Sequence, residues 1–307
     1  MKKKFLHTVD VLVLVAFTIY VLLDAFLISR AYDVVDTQST LTIQEDSNED
    51  IVESIEDVEE VTPSTEIIST DQDYQDENVS IHIEEYEYLF TTIYVADVQV
   101  SSIEHLQSVF ADNTYGKNIT DKTSSIASSA DAILAINGDF YGARESGYVL
   151  RNGVIYRSSA SNNEDLLITN DGNFQIIHES DTSLESIASD AYQVYSFGPA
   201  LIDDYEIQVD ASDEVGKAMA SNPRTAICQV EKNHYLFVVS DGRTDESEGL
   251  SLLELAELLQ TLNVKVAYNL DGGGSSTMVF NGQVINNPTT SGNRIKERSV
   301  SDVIIIR

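Results

Sequence analysis

The sequence predicts an α+β fold: mixed β-sheets with several hairpins and a few short helices, preceded by a transmembrane helix and a disordered acidic linker. Three observations lead there. Short apolar runs such as Ala132–Ile136, Ala226–Val230 and Val264–Leu270 recur between polar, Gly-containing breaks. Turn residues separate paired runs in Tyr148–Arg157, at Asn152-Gly153, and in Leu166–Ile177, at Asn170-Asp171-Gly172. Helical period with a recognisable cap is clearest at Gly249–Leu259, where Ser251 and Glu254 have the spacing of a capping box. Short helices among frequent hairpins point to α+β rather than to a regular α/β alternation.

Taken in order, the chain opens with Lys2, Lys3 and Lys4, followed by an apolar run from Val11 to Leu23 and on past Asp24 to Ile28. About 18–20 such residues at 1.5 Å each match the hydrocarbon thickness of a bilayer. The flanking lysines and the acidic tract that follows orient it as a single-pass anchor, residues 1–31, with the N-terminus cytoplasmic and the remainder extracellular. The run is longer than an ordinary signal-peptide core and lacks a clear Ala-x-Ala site, so an uncleaved anchor is favoured. Residues 32–78 read as a disordered acidic stalk. They are rich in Ser, Thr, Asp and Glu without a sustained apolar period, and like charges extend such a chain.

From Val79 the pattern is globular to Arg307. Val79–Glu84 and Thr92–Val100 alternate as strands, Ser102–Phe110 and Thr123–Asp131 read as helices, and Ala132–Ile136 is a buried strand. Leu184–Asp190 reads as helix, Tyr195–Leu201 as a strand with a Gly-Pro break, and Ala226–Val230, Tyr235–Ser240, Val264–Leu270 and Val303–Ile306 as strands.

Composition narrows the function. The 307 residues carry a formal net charge of −33, which excludes nucleic acid as a natural partner. No Lys or Arg occurs from Ala31 through Gly116, so the acidity is concentrated before the catalytic-looking half. Cys228 is single and lies in an apolar run, so it forms no internal disulfide and reads as a small buried hydrophobe. The five histidines are scattered, and neither a Cys/His metal spacing nor a GxSxG motif is present. Composition leaves the oligomeric state open.

Four apolar strands end in polar, Gly-containing loops. The most informative is Asp271-Gly272-Gly273-Gly274-Ser275-Ser276, in which Asp271 stands where the strand stops and the glycines admit close approach of another group. Their amides are also able to turn toward one anion. The bland alternative is a tight turn capped by Asp271. The second loop, Asn137-Gly138-Asp139, is followed by Phe140 and Tyr141, suited to stacking on a sugar. In the third, Arg224 follows Pro223 at a strand mouth, where a planar fork suits a phosphate or carboxylate, or else a structural salt bridge. The fourth is Asp241-Gly242-Arg243. Four such loops together suggest one cleft.

Asn137–Tyr141, Pro223–Ala226, Asp241–Arg243, the Gly249–Leu259 helix and Asn269–Ser276, in that order, resemble the phosphodiester glycosidase domain. The likeness covers residues 79–307. Asp139 departs from it, since many members have a second Gly there. The resemblance implies hydrolysis of a sugar-1-phosphodiester at the glycosidic C–O bond, in a cell-surface or exopolysaccharide-type substrate. It implies that Asp271, Asp241, Arg224 and Asp139 carry the chemistry. It assigns binding to Asn137, Arg243, Gly272, Gly273, Gly274, Ser275, Ser276, Glu254 and Arg298. The arginines would neutralise the departing phosphate, and Asp271 or Asp241 would serve as base, nucleophile or oxocarbenium stabiliser. No transition-metal set is evident, and a carboxylate-bound divalent cation such as Ca²⁺ is compatible. The alternative is a non-catalytic surface module binding a phosphorylated wall polysaccharide.

Overall fold

A computed structural model describes residues 2–32, 67–213, 221–291 and 294–307. The architecture is mostly β. A nine-stranded sheet has the order Glu206–Ile207, Ala200–Asp203, Val266–Asn269, Arg224–Glu231, His234–Ser240, Thr91–Val100, Val79–Tyr88, Asp73–Gln75, Ile68–Ser69. A five-stranded sheet has the order Gln283–Val284, Met278–Phe280, Leu134–Asn137, Asp302–Ile306, Leu106–Phe110. Another runs Val154–Arg157, Val149–Arg151, Ala191–Tyr195, Glu164–Thr169, Phe174–His178. The strands within these three sheets pair antiparallel, so the expectation of mixed sheets is corrected. Hairpins and short loops join most of them, and parallel pairing needs long crossovers instead.

Period-two burial explains why so many strands look uniformly apolar. In Arg224–Glu231, Ile227 faces a core shared with Phe237, Tyr268, Ile136 and Ile304. Ala226 and Cys228 face a second core under Leu255 and Leu259 of the helix Leu252–Thr261. Both faces of the sheet are covered, so alternation vanishes. Burial pushes the Cys228 thiol pKa up, in keeping with an inert packing role. The helix is closed at its start by the expected capping box: the Ser251 side chain accepts from Glu254 N, and the Glu254 carboxylate accepts from Ser251 N at 2.7 Å. Such caps contribute on the order of 1 kcal/mol.

Three boundaries move. Ser102–Phe110 is not a helix. After a single 3-10 turn at Ile103–His105, Leu106–Phe110 pairs along its length with Asp302–Ile306, and its alternate residues are buried. Tertiary pairing overrides a segment of neutral propensity. The globular domain does not start at residue 79, because Ile68–Ser69 and Asp73–Gln75 extend the nine-stranded sheet from within the predicted stalk. The rest of that stalk, residues 33–66, lies outside the described residues. Tyr32 belongs with the domain too: its N–H donates to Tyr115 O at 3.0 Å, and Arg30–Ala31 pairs with Gly116–Lys117.

The N-terminal segment forms a helix, Lys2–Phe26. Its apolar side chains from Val11 to Leu23 are exposed. Among the described residues no helix is long and apolar enough to cross a membrane.

Candidate active site

The strand ends are brought together by Asn137. It is fully buried, its Nδ2 donates to Asp271 O at 2.6 Å, and its Oδ1 accepts from Thr225 Oγ1 at 2.8 Å and Thr277 N at 3.3 Å. One carboxamide thus clasps three strand ends. The expectation that Asn137 binds substrate is corrected to this bracing role, since its polar atoms are spent inside the protein.

A cleft of about 400 Å³ opens beside that clasp, lined by Phe197, Gly198, Pro199, Asp213, Asn222, Arg224, Arg243, Leu252, Asn269, Leu270, Asp271, Gly272, Gly273 and Arg298. Arg298 and Asp271 form an ion pair, with Arg298 Nη2 at 2.7 Å from Asp271 Oδ2. The same guanidinium donates to Gly272 O at 3.1 Å and, through Nε, to Ser275 Oγ at 2.8 Å. The Arg298 side chain is 41% exposed and that of Asp271 13%, so the pair is open to a ligand. Arg224 is buried, and its Nε donates to Leu250 O at 2.8 Å. Arg243 sits at φ +64 and donates from Nε and Nη2 to Asn222 Oδ1 at 3.1 and 2.8 Å. Partial burial, and then the like charge of Arg298, pull the Arg243 pKa down. A guanidinium whose charge is disfavoured by a like neighbour favours an anion beside it.

The glycines are required by close approach. A Cβ on Gly273, which has φ +63, would lie 2.8 Å from Arg243 Nη2, and one on Gly272 would lie 2.9 Å from Pro223 O. The expected three-amide nest is nevertheless incomplete, because the Gly273 N–H donates to Pro223 O at 2.8 Å.

Two predicted catalytic acids are corrected. Asp139 is buried against Arg151 at 2.8 Å and accepts from Tyr141 N at 2.9 Å and Ser196 N at 3.1 Å. Arg151 also meets Asp302 at 3.0 Å, and its guanidinium lies 4.2 Å over the Tyr195 ring. Burial opposes the Arg151 charge, but Asp139 and Asp302 outweigh it and push its pKa up. Burial pushes the Asp302 pKa up; Arg151 pulls against that and Asp139 adds to it. Asp241 accepts from Asn286 Nδ2 at 3.0 Å, Asn287 N at 2.8 Å and Asn287 Nδ2 at 3.0 Å. It staples the turn before Pro288 and does not line the cleft. Glu254 is spent on the helix cap, and Gly274, Ser275 and Ser276 are buried behind the lining. Tyr141 is buried among Phe110, Tyr115 and Tyr156, which leaves only Phe140 exposed of the predicted stacking pair.

Sequence reasoning missed Phe197, Asn222 and Pro199, which follows a cis peptide bond at Gly198. It also missed the Arg151 triad. Asp302, a lone acid leading the apolar strand Asp302–Ile306, was the available signal, since a charge entering a buried strand must find a partner. A larger cavity of about 500 Å³, lined by Gln107, Asp112, Asn113, Asp121, Ser125 and Arg307 among others, contains none of the motif residues. Among the described residues no three His, Cys, Asp or Glu side chains group to hold a metal ion.

The sequence profile of the phosphodiester glycosidase family matches residues 130–307. The mouse N-acetylglucosamine-1-phosphodiester alpha-N-acetylglucosaminidase is 37% identical over 87 residues, 27% of this chain and 17% of that protein. A SPbeta prophage-derived uncharacterized protein of Bacillus subtilis (strain 168) is 25% identical over 201 residues, 62% of this chain and 30% of that one. This chain therefore spans well under half the length of these relatives. The catalytic domain of the zebrafish N-acetylglucosamine-1-phosphodiester alpha-N-acetylglucosaminidase shares the fold, with a TM-score of 0.59 and 20% identity over 74% of this chain and 82% of that one.

Proposed function

The chain belongs to the phosphodiester glycosidase family, and from that premise we propose that it hydrolyses a sugar-1-phosphodiester between the anomeric carbon and the bridging oxygen. Water adds at the anomeric carbon and releases one proton to solvent, the C–O bond breaks, and the bonding pair leaves with the phosphomonoester dianion. The observation that carries this reading is the meeting of Arg224, Arg243, Arg298 and Asp271 around one cleft. A phosphate leaves without needing a proton, so an acid opposite Asp271 is dispensable. The guanidiniums meet the charge that develops on the leaving oxygens. Asp271, fixed by Arg298, faces the positive charge on the sugar as nucleophile or as electrostatic partner. The sugar we propose is N-acetylglucosamine, the one named for the related mouse enzyme.

The full chain, incubated with an N-acetylglucosamine-1-phosphodiester, should release reducing sugar, and Asp271→Asn and Arg224→Ala should each abolish the release. One feature favours the rival reading, a non-catalytic module for phosphorylated wall polysaccharide: the Asp271 carboxylate is already paired. Saturable binding of such a ligand with no turnover would select it.

We further propose that the helix Lys2–Phe26 holds the domain on the outer face of a membrane, where cell-surface or exopolysaccharide phosphodiesters are within reach. Support comes from the three lysines ahead of the apolar run. Protease added to intact cells should remove the domain. Its protection there would contradict this placement.

A further inference from the structure

The hairpin joining Val79–Tyr88 to Thr91–Val100 turns through Leu89 and Phe90 alone. Both stand at positive φ, +48 and +54, the arrangement of a type I′ turn. Asn-Gly is the ordinary choice there, because a bulky side chain is strained in the left-handed region. This molecule makes comparable turns with Asn-Gly elsewhere, and one more with a bulky residue, Asp204-Tyr205 at φ +46 and +68. Asn152-Gly153 has φ of +51 and +78, and Asn281-Gly282 has +46 and +76. What sets the Leu89-Phe90 turn apart is what it displays: Phe90 is 81% exposed and Leu89 47%. An outlier of this kind persists where its surroundings hold it, and such outliers gather at functional sites.

The surroundings lead to the cleft. Phe90 O accepts from Glu248 N at 3.0 Å, and Glu248 O accepts from Arg243 N at 3.2 Å. Thr91 Oγ1 donates to Gly249 O at 3.0 Å and accepts from Gly249 N at 2.9 Å, while Thr92 N donates to Ser247 Oγ at 3.0 Å. The tip is therefore stitched to the loop that carries Arg243 into the cleft lining. Beside it stand Glu87, whose carboxylate accepts from Thr92 Oγ1 at 3.1 Å, and Glu248, whose N–H is bonded to Phe90. These carboxylates repel a polyanion or an anionic bilayer. A neutral, apolar group is what suits an exposed Phe and Leu there.

We propose that the Leu89–Phe90 tip receives the alcohol part of the substrate, and that the substrate class is a sugar-1-phosphodiester of a long-chain, apolar alcohol. This rests on the reading of the cleft above. With the phosphate on Arg224 and Arg243 and the sugar beside Asp271, the alcohol leaves the cleft past Arg243 toward the tip.

The test uses the full chain and two esters of N-acetylglucosamine-1-phosphate, one with methanol and one with decanol. Leu89→Asn combined with Phe90→Gly installs the favoured turn, so the variant should melt higher than the parent, which separates the effect from misfolding. The ratio of kcat/KM for the decyl over the methyl ester should fall about tenfold, the worth of roughly 55 Å² of apolar contact. An unmoved ratio with both esters hydrolysed overturns this proposal and leaves the cleft reading standing. Hydrolysis of neither ester by the parent chain removes the cleft reading and this one with it.

Discussion

Two arginine–carboxylate clusters lie in this molecule, built from the same groups and put to different ends. Around Arg151, Asp139 and Asp302 are sealed in the core, the guanidinium lies over Tyr195, and it donates further to Leu150 O and to Val194 O. Around Asp271, Arg298 stays part-exposed, with Arg224 and Arg243 in the lining of the same cleft. In the buried cluster each charge answers another charge of the protein. In the open one the Arg298–Asp271 pair reaches solvent, where a ligand can meet it. Pairing alone therefore does not mark a site; a pair that reaches solvent inside a cleft does.

The contrast breaks most visibly at Arg151. Replacing it with Leu strands two carboxylates in the core and should cost about 3–5 kcal/mol, enough to unfold a marginal domain. Thermal and denaturant melts would register this. A variant that keeps the parent stability would contradict a structural role for the buried cluster. The open cluster should behave in the opposite way. Asp271→Asn should lower kcat/KM roughly 10³–10⁴-fold while the melting temperature barely moves. If instead stability collapses and activity survives, the two clusters have been assigned the wrong way round.

Arg298→Lys is a finer probe. It keeps the charge but loses the fork that holds Asp271, Gly272 and Ser275 together, so kcat should drop roughly 10–10²-fold with KM less affected. An unchanged kcat would mean that charge alone suffices.

A pH-dependent effect sharpens the comparison with a third case, Asp165. It is buried beside Ser196 and Glu179, and among the described residues no guanidinium pairs with it. Burial, and then the nearby Glu179 charge, push its pKa up to about 9. Glu179 is buried beside it, yet the N–H groups of Ser161, Tyr148 and Asn163 hold its own pKa down. Since the folded pKa of Asp165 lies above the unfolded value of about 3.9, its contribution is fully present below pH 4. It is lost as the pH rises toward 9. Asp165→Asn should therefore gain melting temperature over the parent progressively from pH 5 to pH 8. A difference that stays flat with pH would show that Asp165 is already ionised.

Much of the fold was legible because its turns are chemically explicit. Asn152-Gly153, Asp171-Gly172 and Asn281-Gly282 announce their hairpins, and Ser251 with Glu254 announces its helix. Leu106–Phe110 was not legible as a strand, because what makes it one is a partner at Asp302–Ile306. The cleft was half legible. Asp271, Arg224, Arg243 and Arg298 do meet there. Asp139 and Asp241 show the same strand-end pattern of acid beside glycine, yet point into protein. Strand-end chemistry is written locally, whereas the side of the sheet end that stays open depends on which loops pack over it. Asn286, Asn287 and Arg151, each far from the acid it binds or bound across another strand, carry no local sign of that choice.

The order of strands in the five-stranded sheet has a consequence for how the protein is made. Asp302–Ile306 comes last in the chain among those strands, yet it lies inside the sheet, between Leu134–Asn137 and Leu106–Phe110. As the polypeptide leaves the ribosome, those two neighbours must wait with bare edges, each a template for wrong partners. The same late stretch delivers Asp302 to Arg151 and Arg298 to Asp271. Nascent chains halted before residue 298 can therefore have neither a closed five-stranded sheet nor a finished cleft.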